Sequence, residues 1–134
     1  MSAFRVLCVD DDELDAEQVR RVARRLDPRL RVEHLTDGDE ALAHLERVDA
    51  LPHLVLLDLN MPRLDGHGCL RAIRSDPSRA ALPVAILTTS MRAADRNAAL
   101  VAGATDYLVK PLTREALARL LARARWRPPA PDGA

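Results

Sequence analysis

Four short apolar runs in this chain each stop at a polar residue able to do chemistry. Residues 4–9 stop at Asp10-Asp11-Asp12, 54–57 at Asp58, 83–87 at Thr88, and 105–109 at Lys110. An acidic start to a helix, or a strand closing on Asp, Thr or Lys, is ordinary on its own. Four in order at the ends of four apolar runs point to one assembled site. Carboxylates gathered in one place raise each other's pKa unless a cation offsets them. An all-oxygen cluster suits a hard ion such as Mg²⁺, which takes few carboxylates and keeps several waters. Such an ion neutralises an incoming phosphoryl group, and Asp58, as a carboxylate, can be the nucleophile. The Thr88 hydroxyl and the Lys110 ammonium suit the remaining phosphoryl oxygens, so the set reads as phosphoryl transfer to an aspartate. Lys110 is also the single lysine of the chain; every other basic residue is arginine.

Those residues need a frame. The continuous apolar runs predict strands covered on both faces, the mark of a parallel sheet. Residues 30–35 alternate apolar and polar and read as an exposed edge strand. Between the runs lie stretches of helical period: Leu14, Val19, Val22, Ala23 and Leu26; Ala41, Leu42 and Leu45 after Asp37-Gly-Asp-Glu40; Leu70 with Ile73; Ala98 to Val101; and Leu117, Leu120 and Leu121. The order is βα five times, and right-handed crossovers place helices on both faces of one five-stranded sheet. In such α/β sheets ligands bind outside the carboxyl ends of the strands, where the four polar stops fall. Gly103 is a natural helix C-cap. One domain is expected over 1–127, with 128–134 a disordered tail and no linker to an effector domain.

Composition narrows the partners. With 134 residues and 20 basic against 20 acidic side chains, one domain that holds a core without disulfide or structural metal is expected. Zero net charge removes the bulk attraction a nucleic-acid or anionic-membrane binder relies on. No segment approaches a membrane span or a signal peptide, so a cytoplasmic location is expected. Cys8 and Cys69 lack metal or redox spacing and read as small buried hydrophobes. His34, His44, His53 and His67 show no ligand spacing, and the glycines form no phosphate-binding loop. The arginines of the last helix read as a solvated face.

The ordered motifs Val9-Asp-Asp11, Leu57-Asp58-Leu-Asn-Met-Pro62, Asp65-Gly66, Leu87-Thr88 and Lys110-Pro111 resemble the receiver domains of two-component response regulators, over about residues 4–126. The resemblance implies a flavodoxin-like, CheY-like (βα)5 fold. It implies Asp58 as phosphoacceptor from a sensor histidine kinase, Asp11 as a direct Mg²⁺ ligand, Asp10 as a ligand through water, and Asn60 as a ligand through its backbone carbonyl. Thr88 and Lys110 would contact the phosphate, and Thr88 with Tyr107 would form the switch. Asp12 is assigned to the start of the first helix, and Thr88 rather than Thr89 to the phosphate. Asn60 and Ser90 take the two positions that tune phosphoaspartate hydrolysis. The protein would then be no enzyme beyond its own phosphorylation and slow dephosphorylation.

The acidic residue inside the first helix, Asp15, with Leu87-Thr-Thr-Ser90, resembles the stand-alone receivers that partner phytochrome-type kinases. Output would run through the fourth helix, fifth strand and fifth helix, about residues 92–101, 105–109 and 114–126. That face carries Asp95, Asp106 and Glu115 beside Arg96, Arg119 and Arg123, a pattern able to pair with itself in a homodimer. A haloacid-dehalogenase-type phosphatase with Asp10 as nucleophile is the alternative, because Asp10-Asp-Asp12 spells its DxD. Leu14 stands where that family expects Thr or Val, and the length leaves no room for its cap.

Overall fold

The computed structural model describes residues 3–129; residues 130–134 of the expected tail lie outside the described residues. The apolar runs become β1 (Phe4–Val9), β3 (Leu54–Leu57), β4 (Val84–Thr88) and β5 (Asp106–Val109), and the alternating segment becomes β2 (Leu30–Leu35). All pairings are parallel, in the order β2-β1-β3-β4-β5. β2 is an edge strand, as its alternation requires.

Strand alternation divides the core into two layers. Val6, Cys8, Leu54, Leu56, Ala85 and Leu87 face α1 (Glu13–Leu26) and α5 (Arg114–Arg123). Leu7, Val9, Val55, Leu57, Val84 and Ile86 face α2 (Gly38–Arg47), α3 (Gly66–Arg74) and α4 (Ala93–Val101). Every residue of β3 and β4 is buried, because both strands are covered on both faces. Cys8 and Cys69 are buried free thiols, and burial pushes both up to about 12.

Helix starts follow side-chain capping. Asp12, Asp37, Asp65 and Thr113 each accept a backbone N–H in the following first turn. α4 has no such cap. It ends before Gly103, whose φ of 103° is the left-handed conformation expected of a glycine after a helix.

The fifth helix departs from expectation. It stops at Arg123, and Trp126 folds back instead of continuing the helical face. Arg125 takes φ 70°, its N–H donates to Ala122 O at 3.1 Å, and the Trp126 N–H donates to Leu121 O at 2.9 Å. These paired bonds are the closing pattern that satisfies terminal helix carbonyls. The indole Nε1 then donates to Asp27 Oδ2 at 2.8 Å, with the ring buried against the α1/α5 layer. A short 3-10 turn at Pro77–Arg79 is the other element absent from the sequence reading.

Candidate functional site

Strand register brings the polar stops together. Val9 pairs with Leu57, so Asp10 and Asp58, one residue further on, emerge side by side where the strand order reverses. The Asp10 N–H donates to Leu35 O and the Asp58 N–H to Val9 O, both at 3.0 Å, extending the ladders past the strand ends. Thr88 pairs with Val109, and the Lys110 N–H donates to Thr88 O at 2.7 Å. All four stops therefore lie along the carboxyl edge of the sheet.

Gly66 sets the depth of the neighbouring loop. Its N–H donates to Leu59 O at 3.0 Å, and a Cβ there would stand 2.2 Å from the Asp58 carbonyl oxygen. Only a residue without a side chain lets α3 approach the end of β3 so closely. Arg63, with φ 64°, pairs with the buried Asp37 carboxylate and ties the β3–α3 loop to the start of α2.

The Lys110 ammonium is the hub of the site. It donates to Asp10 Oδ2 at 2.7 Å, Asp15 Oδ2 at 2.6 Å and Asp58 Oδ2 at 3.1 Å. Burial opposes its charge, but the hydrogen bonds to Asp10 and Asp15 and the charge of Asp58 outweigh that and hold its pKa above the usual lysine value. Asp10 is buried, and burial pushes its carboxyl up against the opposing pull of Lys110 and of the Asp12 N–H, which donates to Asp10 Oδ1 at 2.9 Å. Asp11 is exposed beside it.

Carboxylate oxygens of Asp10, Asp11 and Asp58 all lie within 4.8 Å of one another. Three hard oxygen donors, with the Asn60 backbone two residues after Asp58, are a donor set that fits Mg²⁺. The Asn60 N–H reaches Asp58 Oδ1 at 3.4 Å, and its side-chain amide reaches Thr88 Oγ1 at 3.5 Å.

Thr88 is fully buried with its hydroxyl on the site side, whereas Thr89 is exposed. Ser90 links the hydroxyl to Tyr107 of β5 and Asp95 of α4. Its N–H reaches Thr88 Oγ1 at 3.4 Å, its carbonyl accepts the Tyr107 hydroxyl at 3.0 Å, and its own hydroxyl donates to Asp95 Oδ2 at 2.6 Å. His67 Nε2 lies 3.3 Å from Asp95 Oδ1. The Ser90 hydroxyl, then His67, hold the Asp95 carboxyl below the usual range. Tyr107 is buried and turned inward.

Three placements differ from the sequence reading. Asp95 is spent on Ser90 and His67 instead of standing free on the α4–β5–α5 face, whereas Asp106 stays partly exposed there, 3.8 Å from Arg123. Asp15, read only as a mark of subtype, contacts Lys110 directly. Its spacing from Asp10 was visible, but the lysine it meets lies 95 positions away, and no local pattern pairs the two. His34 meets the site through the backbone, with Nε2 2.7 Å from the Asp10 carbonyl.

Comparison with known proteins agrees with this geometry. The sequence model of the response regulator receiver domain matches residues 6–122. The response regulator MprA of Mycobacterium leprae is 42% identical over 122 residues, covering 91% of this chain and 50% of that protein, so the chain spans half the length of that relative. A crystal structure of a putative response regulator from Chloroflexus aurantiacus superposes with TM-score 0.82 and 29% identity, covering 93% of this chain and all of the other. The phosphorylated cyanobacterial phytochrome response regulator RcpA superposes with TM-score 0.77 and 27% identity, covering 92% and 90%.

Proposed function

The chain belongs to the response regulator receiver domain family, and on that footing we propose that Asp58 accepts a phosphoryl group from a sensor histidine kinase and that Thr88 and Tyr107 convert the event into a change of surface. The observation that carries the reading is the Lys110 ammonium held between Asp10 and Asp58 at 2.7 and 3.1 Å, on the strand edge that also presents Thr88.

A carboxylate oxygen of Asp58 attacks the phosphorus of a phosphohistidine. The new O–P bond forms an acyl phosphate as the P–N bond breaks, its electron pair returning to the imidazole nitrogen, which takes a proton from water. Lys110 faces one phosphoryl oxygen as a compact ammonium, and the Thr88 hydroxyl serves another. Asp10, Asp11, Asp58 and the Asn60 carbonyl would hold Mg²⁺, which when bound supplies the positive charge that offsets the carboxylates and the phosphoryl group. Hydrolysis returns inorganic phosphate and the free Asp58 carboxylate, and this turnover of its own phosphate is the only catalysis we assign. The phosphatase alternative with Asp10 as nucleophile is not supported, because the family model that matches residues 6–122 is that of the receiver domain.

A phytochrome-type kinase is the partner we favour. The similarity to RcpA supports it, together with Asp15 in the first turn of α1. A cytoplasmic location goes with such a partner, and no described helix is long and apolar enough to cross a membrane. Output through a homodimer on the α4–β5–α5 face completes the proposal.

Incubation with acetyl phosphate and Mg²⁺, followed by intact mass, is expected to show one added phosphoryl group that Asp58→Asn abolishes. An undiminished adduct in that variant overturns the assignment. Phosphotransfer from an autophosphorylated phytochrome-type kinase, compared with unrelated kinases, tests the partner.

A further inference from the structure

We infer that Asp15 is a positioning residue that restrains Lys110, competing with the phosphoryl group for its ammonium and so slowing phosphorylation of Asp58. The inference rests on the proposed role of Asp58 and adds a residue to that site.

An ammonium has three N–H donors and no more. In this structure all three are taken, by Asp10, Asp15 and Asp58, and the Asp15 contact at 2.6 Å is the shortest while the Asp58 contact at 3.1 Å is the longest. Lys110 therefore sits nearest the acceptor that carries no phosphoryl chemistry. Asp10 is held in place by burial and by the Asp12 N–H. Asp15 is different: its side chain is 39% exposed, so water can replace the lysine when it lets go. A cleft of about 290 Å³ lined by Asp15, Gln18, Leu87, Thr89, Lys110 and Pro111 gives it space to do so. A third carboxylate on one ammonium also dilutes the positive field that an incoming dianionic phosphoryl group meets.

Asp15 stands apart from the ion cluster. The oxygens that converge within 4.8 Å belong to Asp10, Asp11 and Asp58. Its position in the first turn of α1 would by itself give a mild helix-dipole effect. Glu13 shares that turn, is exposed and makes no side-chain contact with the lysine, so it serves as the control.

Asp15→Asn is expected to raise the rate of Asp58 phosphorylation by acetyl phosphate about two- to fivefold, the effect of releasing one half-exposed ion pair. Asp15→Glu, which keeps the carboxylate, and Glu13→Gln should stay within about twofold of wild type. A second readout follows from Lys110 being the only lysine in the sequence. With ¹⁵N-lysine labelling the side-chain ammonium gives a single NMR signal, and Asp15→Asn should shift it and speed its hydrogen exchange. A slower or unchanged rate in Asp15→Asn, an equal gain in Glu13→Gln, or an unmoved ammonium signal overturns the inference. If wild-type protein gains no phosphoryl group on Asp58, it is the proposed function that fails; the NMR signal still reports the Asp15 contact.

Discussion

Asp11 and Asp12 are adjacent acids with different work. Asp12 Oδ1 accepts the Leu14 N–H at 2.8 Å and the Asp15 N–H at 3.3 Å, so its carboxylate is turned into the helix it caps. Asp11 has no such engagement and contributes an oxygen to the cluster with Asp10 and Asp58. Asp11→Asn should therefore weaken Mg²⁺ binding, measured by calorimetry, by tenfold or so, the order expected when one hard ligand loses its charge. Asp12→Asn should leave it nearly unchanged and cost little stability, because Asn caps helices as well as Asp does. Equal effects would place the metal register one residue along. Burial and geometry separate the two roles; the run Asp10-Asp11-Asp12 does not, since three identical side chains at a strand end differ only in where the backbone aims them.

Elements deliver these side chains, and two joints decide how well. Gly66 is one. An alanine Cβ at that position would meet the Asp58 carbonyl oxygen at 2.2 Å and the Leu59 Cα at 2.6 Å, backbone that cannot rotate aside. Gly66→Ala should lower stability by at least about 1–3 kcal/mol, read by thermal melting, and slow phosphorylation as the strand end shifts. The other joint is Asp27, which holds the end of the chain's last turn through Trp126. The Arg29 guanidinium, against the opposing effect of burial, and the indole N–H hold its carboxyl down to about 2. Its folded pKa lies below its unfolded value of about 3.9, so its contribution is present above pH 4 and is lost as pH falls toward 2. Asp27→Asn should lower the melting temperature at pH 7 and flatten the loss of stability between pH 4 and 2; an unchanged acid limb would show that the pair contributes nothing. These joints also mark how far the sequence could be read. The strands and the starts of α1 and α2 were legible because apolar runs, alternation and the Asp caps at 12 and 37 are local signals. The early end of α5 was not, because the residue that captures Trp126 lies 99 positions away, and neither was the Asp15–Lys110 contact, for the same reason.

Across the whole molecule, the site edge and the α4–β5–α5 face are joined by one chain of contacts. Drawing the Thr88 hydroxyl toward a phosphoryl oxygen withdraws it from the Ser90 N–H, and Ser90 holds both the Tyr107 hydroxyl and Asp95 of α4. Tyr107 is already inward, so the expected change is a tightening of this cluster and a shift of α4. On the outer side, charge alone cannot hold a dimer: Asp95 is satisfied within the chain, and exposed ion pairs are worth about 0–1 kcal/mol. Apolar surface is available there instead. Val101 is 90% exposed, and Leu100 and Val109 are about two-fifths exposed, all on α4 and β5, with Arg96 exposed on α4 and Glu115 and Arg119 exposed on α5. A two-fold interface centred on Val101 would bury those side chains against their copies and leave the charges at its rim, where they set orientation more than affinity. Light scattering is expected to show a dimer whose stability changes on adding acetyl phosphate with Mg²⁺. Val101→Glu should abolish it, since it places like charges at the apolar centre. Arg119→Glu should weaken it less, and should do so more at low salt than at high salt. A monomer in both phosphorylation states at high concentration would refute the dimer and leave this face to a different protein.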